Sequence, residues 1–187
     1  MEYQGNKISL NRIKEYSQID KNKFKLVLDN PDQELEVVEF PYEIYYGLVK
    51  EARNIGGGLY SFQIDVGNKN IEIISGILNY HSIDDLLNTR QMVLVNMGRY
   101  RNFRGKVSQG TFVFANEKNL LPLLFEQIPL ANGDSNRVGL GPHTAYLTKK
   151  LRGTGKYIEK FYVGSDGYFY YQGCALEVNG RKFKVIQ

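Results

Sequence analysis

The chain has 187 residues, 42% of them hydrophobic and 24% charged, with 24 Lys and Arg against 20 Asp and Glu. That length suffices for one well-buried core, the composition is that of an ordinary soluble globular protein, and no run approaches the ~18–20 apolar residues of a membrane span. A single cysteine, Cys174, excludes an intrachain disulfide and a thiolate metal cluster within one chain; with no basic-then-apolar leader at the start, the expectation is a cytoplasmic protein with no metal and no cofactor.

In chain order, residues 7–18 (KISLNRIKEYSQ) set Ile8, Ile13 and Tyr16 at loose helical spacing and predict a short N-terminal helix. Residues 23–40 predict a hairpin, because KFKLVL alternates lysines with Phe24 and Leu26, DNPDQ supplies turn chemistry and ELEVVEF alternates again. Pro41 suits a first helical position. Ile44, Leu48, Ala52 and Ile55 follow at four- and three-residue steps, predicting a helix that Gly56, Gly57 and Gly58 end. LYSFQIDV and NIEIISGILNY form a second hairpin signal about Gly67, Asn68 and Lys69. Ser82 predicts an N-cap for IDDLLNTRQ with Asp84 and Asp85 in its first turn, leaving His81 a surface or capping residue.

MVLVNM and GTFVFA read as strands, and NLLPLLFEQIPL as a short apolar helix or turn interrupted by Pro122. Residues 131–141 read as the longest loop. Pro142 as a first helical residue, Leu147 and Leu151 as a buried stripe and Gly153 as a stop predict a further helix. YIEKFYV, GSDG, YFYYQGCALEV, Asn179-Gly180 and RKFKVIQ predict an antiparallel meander, with Cys174 a small buried hydrophobe in a strand. The fold class expected is α+β, mainly antiparallel sheet with two to four short helices and a C-terminal β-meander. One domain over 1–187 is the default, and a subdivision near 130–141 is the alternative.

Charge is distributed unevenly. Residues 1–85 hold nine Lys and Arg against fourteen Asp and Glu, whereas residues 86–187 hold fifteen against six. Such an asymmetry points to an anionic partner for the second half. Within it, residues 86–116 contain no acid, and Arg99, Tyr100, Arg101, Asn102, Phe103, Arg104, Gly105 and Lys106 interleave four cations with two aromatics. Cations neutralise phosphates and aromatic faces stack on unpaired bases, so these types together suit single-stranded nucleic acid. The competing reading is a solvated sheet edge whose charges discourage pairing.

The stretch 137–160, RVGLGPHTAYLTKKLRGTGKYIEK, is a second candidate. Gly139 and Gly141 precede the predicted helix, so its amides would receive a phosphate near Thr144. Lys149, Lys150, Arg152 and Lys156 add positive charge, although lysines in a last helical turn also follow from the helix dipole alone. RGTGKY has Tyr157 where a phosphate-binding loop needs a hydroxyl residue, so that motif is absent. The expectation is a protein that binds a phosphate-bearing ligand, RNA, single-stranded DNA or a nucleotide, through its basic C-terminal half. The alternatives are a metal-independent phosphodiesterase or ribonuclease in which His143 moves protons with Lys149, Arg152, Lys156 and Tyr157 around it, and a non-catalytic protein-interaction module, an inhibitor or structural subunit.

Overall fold

The structure, a computed structural model, describes residues 7–8, 13–20, 23–29, 33–39, 43–95, 101–103, 105–117, 119–141, 145–147 and 161–186. The chain begins with four strands, β1 (Lys7–Ile8), β2 (Ile13–Asp20), β3 (Lys23–Leu28) and β4 (Gln33–Glu39). Next come β5 (Glu43–Gly56), β6 (Leu59–Asp65), β7 (Asn70–Ser75), a 3-10 turn (Ile77–Asn79), α1 (Ile83–Leu86), β8 (Arg90–Val95), β9 (Arg101–Phe103), β10 (Lys106–Ser108) and β11 (Gly110–Phe112). The chain continues with β12 (Phe114–Glu117), β13 (Asn119–Pro122), β14 (Arg137–Leu140), β15 (Ala145–Leu147), β16 (Phe161–Val163), β17 (Phe169–Tyr171), β18 (Cys174–Val178) and β19 (Arg181–Lys182).

The long strand β5 is the organising element. Its first half pairs antiparallel with β8, Glu43 opposite Val95 through Leu48 opposite Arg90, and its second half pairs with β6 across a bulge after Val49. β6 turns back into β7, and β8 pairs with β11. The ring closes where β7 meets the segment leading into β11. The Ile74 N–H donates to Ser108 Oγ at 3.0 Å, the Gln109 N–H donates to Glu72 O at 2.8 Å, and the Glu72 N–H donates to Gln109 Oε1 at 2.7 Å. Five strands, β5, β6, β7, β11 and β8, thus curl into a barrel whose β7–β11 seam is bridged by these three bonds, with α1 between its third and fourth members in chain order.

β5 and β8 form a wall with two apolar faces. Val49, Val93 and Val95 face the barrel interior with Phe62, Ile64 and Ile73, whereas Ile44, Tyr46, Met92 and Leu94 face a second core with Phe125, Phe161, Phe169, Leu176 and Phe183. Burial on both sides explains the uninterrupted apolar run MVLV. The second core is covered by the C-terminal strands. β14 pairs with β5 through Arg137 and Val138, then with β18 through Gly139 and Leu140. The meander β16, β17, β18 and β19 continues from there, with Asn179 and Gly180 both at positive φ in its last turn. β2, β3 and β4 form an antiparallel sheet around Leu26, Leu28 and Val37, and β15 joins it parallel to β4 and β1.

The fold is mostly antiparallel β-sheet and barrel-like, which overturns the α+β reading with two to four helices; among the described residues α1 is the one α-helix. The predicted helix after Pro41 is β5. In a strand buried on both faces, apolar residues need not alternate, and those of β5 fell by coincidence on helical steps. The predicted N-terminal helix is β1 and β2, and the apolar segment around Pro122 contributes β13 and then an isolated bridge between Phe125 and Val185. Ala145–Leu147, inside the helix predicted from Pro142, is strand β15; 142–144 and 148–153 lie outside the described residues. The loop expected over 131–141 ends at 136, and β14 starts at Arg137. α1 carries the cap expected of it, Ser82 Oγ accepting from the Asp85 N–H at 3.3 Å with Asp84 and Asp85 in the first turn.

Candidate nucleic-acid interface

The basic and aromatic run lies in the connection between the barrel's fourth and fifth strands. Between β8 and β11 in sequence, β9 and β10 pair as a hairpin. Arg101 stands opposite Ser108, Asn102 opposite Val107 and Phe103 opposite Lys106. Gly105 holds the tip at φ 80, and its N–H donates to Asn102 Oδ1 at 3.1 Å. Phe103 is half-buried and Val107 is exposed. Ser108 ties the hairpin base to the barrel, accepting from the Ile74 N–H and donating to Gly110 O at 2.9 Å. The hairpin is therefore fixed beside β7.

Glu72 is the acid that this placement brings against the hairpin. Its Oε1 lies 3.6 Å from Lys106 Nζ and also accepts from Ser61 Oγ. Lys106 is thus partly neutralised rather than wholly available to a ligand. Pairing across β5, β6 and β7 puts Arg53, Ser61, Gln63 and Glu72 on one outward face, since Arg53 is opposite Ser61 and Gln63 opposite Glu72. Arg53 is exposed. The turn from β5 into β6 borders that face. Gly56, Gly57 and Gly58 there have φ of 93, 66 and 77, a left-handed run only glycine adopts readily, and Asn79 Nδ2 donates to Gly58 O at 3.4 Å. The triple glycine, read from sequence as a helix stop, makes a hairpin turn instead.

The predicted site residues divide sharply. Phe103 and Lys106 are seated in the hairpin, and Arg101 occupies a β9 position. Arg99, Tyr100 and Arg104 lie outside the described residues. So do His143, Thr144, Lys149, Lys150, Arg152, Lys156 and Tyr157 of the second candidate, whereas its Gly139 lies in β14 and Gly141 directly follows that strand. The sequence reading missed Arg53, Ser61, Gln63 and Glu72, which only the register of β5, β6 and β7 brings onto one face. Among the described residues no three His, Cys, Asp or Glu side chains come together to hold a metal ion, and no helix is long and apolar enough to cross a membrane. Cys174 is a free, half-buried thiol packed against the second core.

Arg137, the first residue of that second stretch, is engaged structurally. Its Nη1 donates to Glu43 Oε1 at 2.8 Å and to Tyr45 Oη at 3.2 Å, and its guanidinium lies 5.2 Å from the Tyr45 ring centre. The Tyr45 hydroxyl itself donates to Glu43 Oε1 at 2.7 Å. Burial raises the Tyr45 pKa above its ordinary value, and the bond to Glu43 raises it further. Burial also raises that of Tyr46, whose Oη accepts from the Ile128 N–H at 2.8 Å.

A five-stranded barrel with a helix between strands three and four is similar to the oligonucleotide/oligosaccharide-binding architecture, in which the face of strands two and three and the loops after strands one and four receive ligand. Here those parts are the outer face of β6 and β7, the glycine turn 56–58 and the segment 96–109. Residues 45–134 match a family model described as "Putative tRNA binding domain". The crystal structure of the C-terminal domain of Plasmodium vivax p43 has the same fold, with a TM-score of 0.60 at 20% identity over 78% of this chain and 93% of that one. That coverage exceeds the barrel. Lower similarity extends to a MetRS-related protein from Pyrococcus horikoshii, at 25% identity and a TM-score of 0.41 over 51% of this chain and 88% of that one. It extends also to the CsaA chaperone protein from Picrophilus torridus, at 18% identity and 0.38 over 51% and 88%. No curated protein matches the sequence.

Proposed function

We propose that the chain binds RNA, with transfer RNA the first candidate, through the barrel face formed by β6 and β7, the glycine turn and the segment 96–106. The observation that carries this reading is the agreement of two features. The family match at 45–134 covers the barrel, and the loop that such barrels use for ligand is the one carrying Arg99, Tyr100, Arg101, Phe103, Arg104 and Lys106. In this reading Arg99, Arg101 and Arg104 neutralise phosphates, Tyr100 and Phe103 stack on unpaired bases, and Arg53 supplies a further cation from β5. Glu72 moderates the field by holding Lys106. The pairing of β14 with both β5 and β18 supports taking the barrel and the C-terminal strands as one folded unit, with the C-terminal strands buttressing the barrel.

Binding of unfractionated tRNA, measured by fluorescence anisotropy across a salt series, tests the proposal. Each phosphate contact contributes roughly 0.7 to 0.9 to the slope of log K against log salt. A variant with Arg99, Arg101 and Arg104 all changed to Ala is expected to bind weakly and to lower that slope by about two to three. No binding of tRNA at low salt, or unchanged affinity in the triple variant, rejects the assignment. The phosphodiesterase reading centred on His143 gains no support, because its residues lie outside those described.

A further inference from the structure

The C-terminal meander carries an aromatic surface outside the barrel and outside the segment matched by the family. Alternation along β16 and β17 buries Phe161, Phe169 and Tyr171 and turns Tyr162, Tyr168 and Tyr170 the other way. Tyr162 and Tyr170 are cross-strand partners whose rings are stacked, 5.5 Å between centres and 13° between planes. Tyr168 bridges to Lys184 in register, and the ammonium groups of Lys182 and Lys184 each lie 5.9 Å from its ring centre. Tyr162 is 40% exposed, and both lysines are exposed.

The turn between the two strands holds this surface in place. The Tyr170 hydroxyl donates to Asp166 Oδ2, and Asp166 Oδ1 accepts from the Tyr168 N–H at 3.0 Å. The Gly164 N–H donates to Tyr168 O at 2.8 Å. A side chain at Gly164 would not fit, since its Cβ would stand 2.6 Å from Tyr170 Cε2 and 2.7 Å from Asp166 Oδ1. Tyr170 is therefore pinned, and Tyr162 lies on it as the outer ring of a preformed stack. A stack that needs no rearrangement loses little side-chain freedom on binding.

We propose that Tyr162, Tyr170 and Tyr168, flanked by Lys182 and Lys184, form a second RNA contact that stacks unpaired bases and neutralises the phosphates beside them. Charge selects RNA over a protein partner as the occupant. Both lysines lie beside Tyr168, and the one acid of the turn, Asp166, accepts from Tyr170 and from the Tyr168 N–H within the field of Lys182, so two cations face one anion that is already engaged. Aromatic faces interleaved with cations and tolerant of any base are what single strands are held by. The inference rests on RNA being the ligand, but not on the barrel face being where it binds.

Binding of a fluorescein-labelled oligouridylate and of tRNA separates the two. Tyr162→Leu and Tyr168→Leu keep apolar bulk on the strand while removing the ring, and Tyr162→Phe and Tyr168→Phe keep the ring while removing the hydroxyl. The leucine variants are expected to weaken oligouridylate binding about 5-fold or more per ring, and the phenylalanine variants to match the parent. Lys182→Gln with Lys184→Gln should flatten the salt dependence. A protein that binds tRNA in an arginine-dependent manner but shows no change in the leucine variants overturns this second contact and leaves the barrel assignment standing. Absence of any RNA binding overturns both. Leucine variants that keep their RNA affinity but lose self-association in sedimentation overturn it in favour of a protein interface.

Discussion

Ser108 makes one of the three hydrogen bonds that close the barrel, and replacing it with Ala tests that role. The side chain is 3% exposed, accepts from the Ile74 N–H at 3.0 Å and donates to Gly110 O at 2.9 Å. Ser108→Ala removes one oxygen, so it leaves almost no cavity and introduces no clash. It deletes two hydrogen bonds, each contributing about 1 kcal/mol net, and it strands the Ile74 N–H in a buried place where desolvation costs about 1–3 kcal/mol. Allowing for partial relaxation, the loss is expected to be about 2–4 kcal/mol, a large share of the roughly 5–15 kcal/mol typical of a folded domain. In a chain of this size that corresponds to a melting point lower by about 5–15 °C. Urea titration gives the free energy, and native-state hydrogen exchange at the Ile74 amide gives the location. Ser135→Ala serves as the reference, because exposed Ser135 Oγ accepts from the Arg137 N–H at 3.0 Å where water can replace it. A Ser108→Ala protein as stable as the Ser135→Ala protein, with Ile74 equally protected, would refute the closure argument.

Tyr46→Phe is expected to cost about 1–3 kcal/mol in the same urea assay, because the buried Ile128 N–H loses its acceptor; an unchanged midpoint contradicts this. Alkaline titration should find Tyr45 and Tyr46 ionising above the ordinary 10.0. Since their folded pKa values are raised, the unfolded chain loses these protons first, so stability is full below about pH 10 and declines as pH climbs toward the folded values. Stability rising between pH 10 and 11 is the contrary result. Glu72→Gln removes the anion 3.6 Å from Lys106, so RNA affinity should increase and the salt slope should steepen by up to about 0.9. Weaker RNA binding by this variant would count against a face formed by β6, β7 and the hairpin.

Local chemistry made the turns legible. Gly67 between β6 and β7, Ser82 ahead of α1 and Asn179-Gly180 before β19 each act through their own backbone or neighbouring amides, so single-sequence reasoning reaches them. The meander was visible for the same reason, although Gln172 and Gly173, both at positive φ, split YFYYQGCALEV into two strands where one was expected. What stayed hidden was β5. Its neighbours on both sides, β8 and β14, lie about 50 and 90 residues downstream, and nothing near Glu43 signals that both of its faces will be covered. The candidate site followed the same division. Phe103 and Lys106 stand out as a contiguous charged and aromatic run, but Glu72 meets Lys106 only because β7 and β10 are brought together by barrel closure. Tyr162, Tyr168 and Tyr170 looked like ordinary strand residues until the register of β16 and β17 put them on one face.

The double-sided wall of β5 and β8 bears on how the chain tolerates being cut. The family match stops at 134, a natural place to excise the barrel. Such a fragment would lose β14 and the meander and uncover Ile44, Tyr46, Met92 and Leu94, four side chains whose burial is worth roughly 1.5–3 kcal/mol each. It would also free the β5 edge beside Ile44 and Tyr45, leaving unpaired backbone next to an apolar surface, the combination that drives strand-to-strand aggregation. A protease acting in the exposed stretch 131–135 would therefore produce pieces that stay together under native conditions and separate only when the protein unfolds.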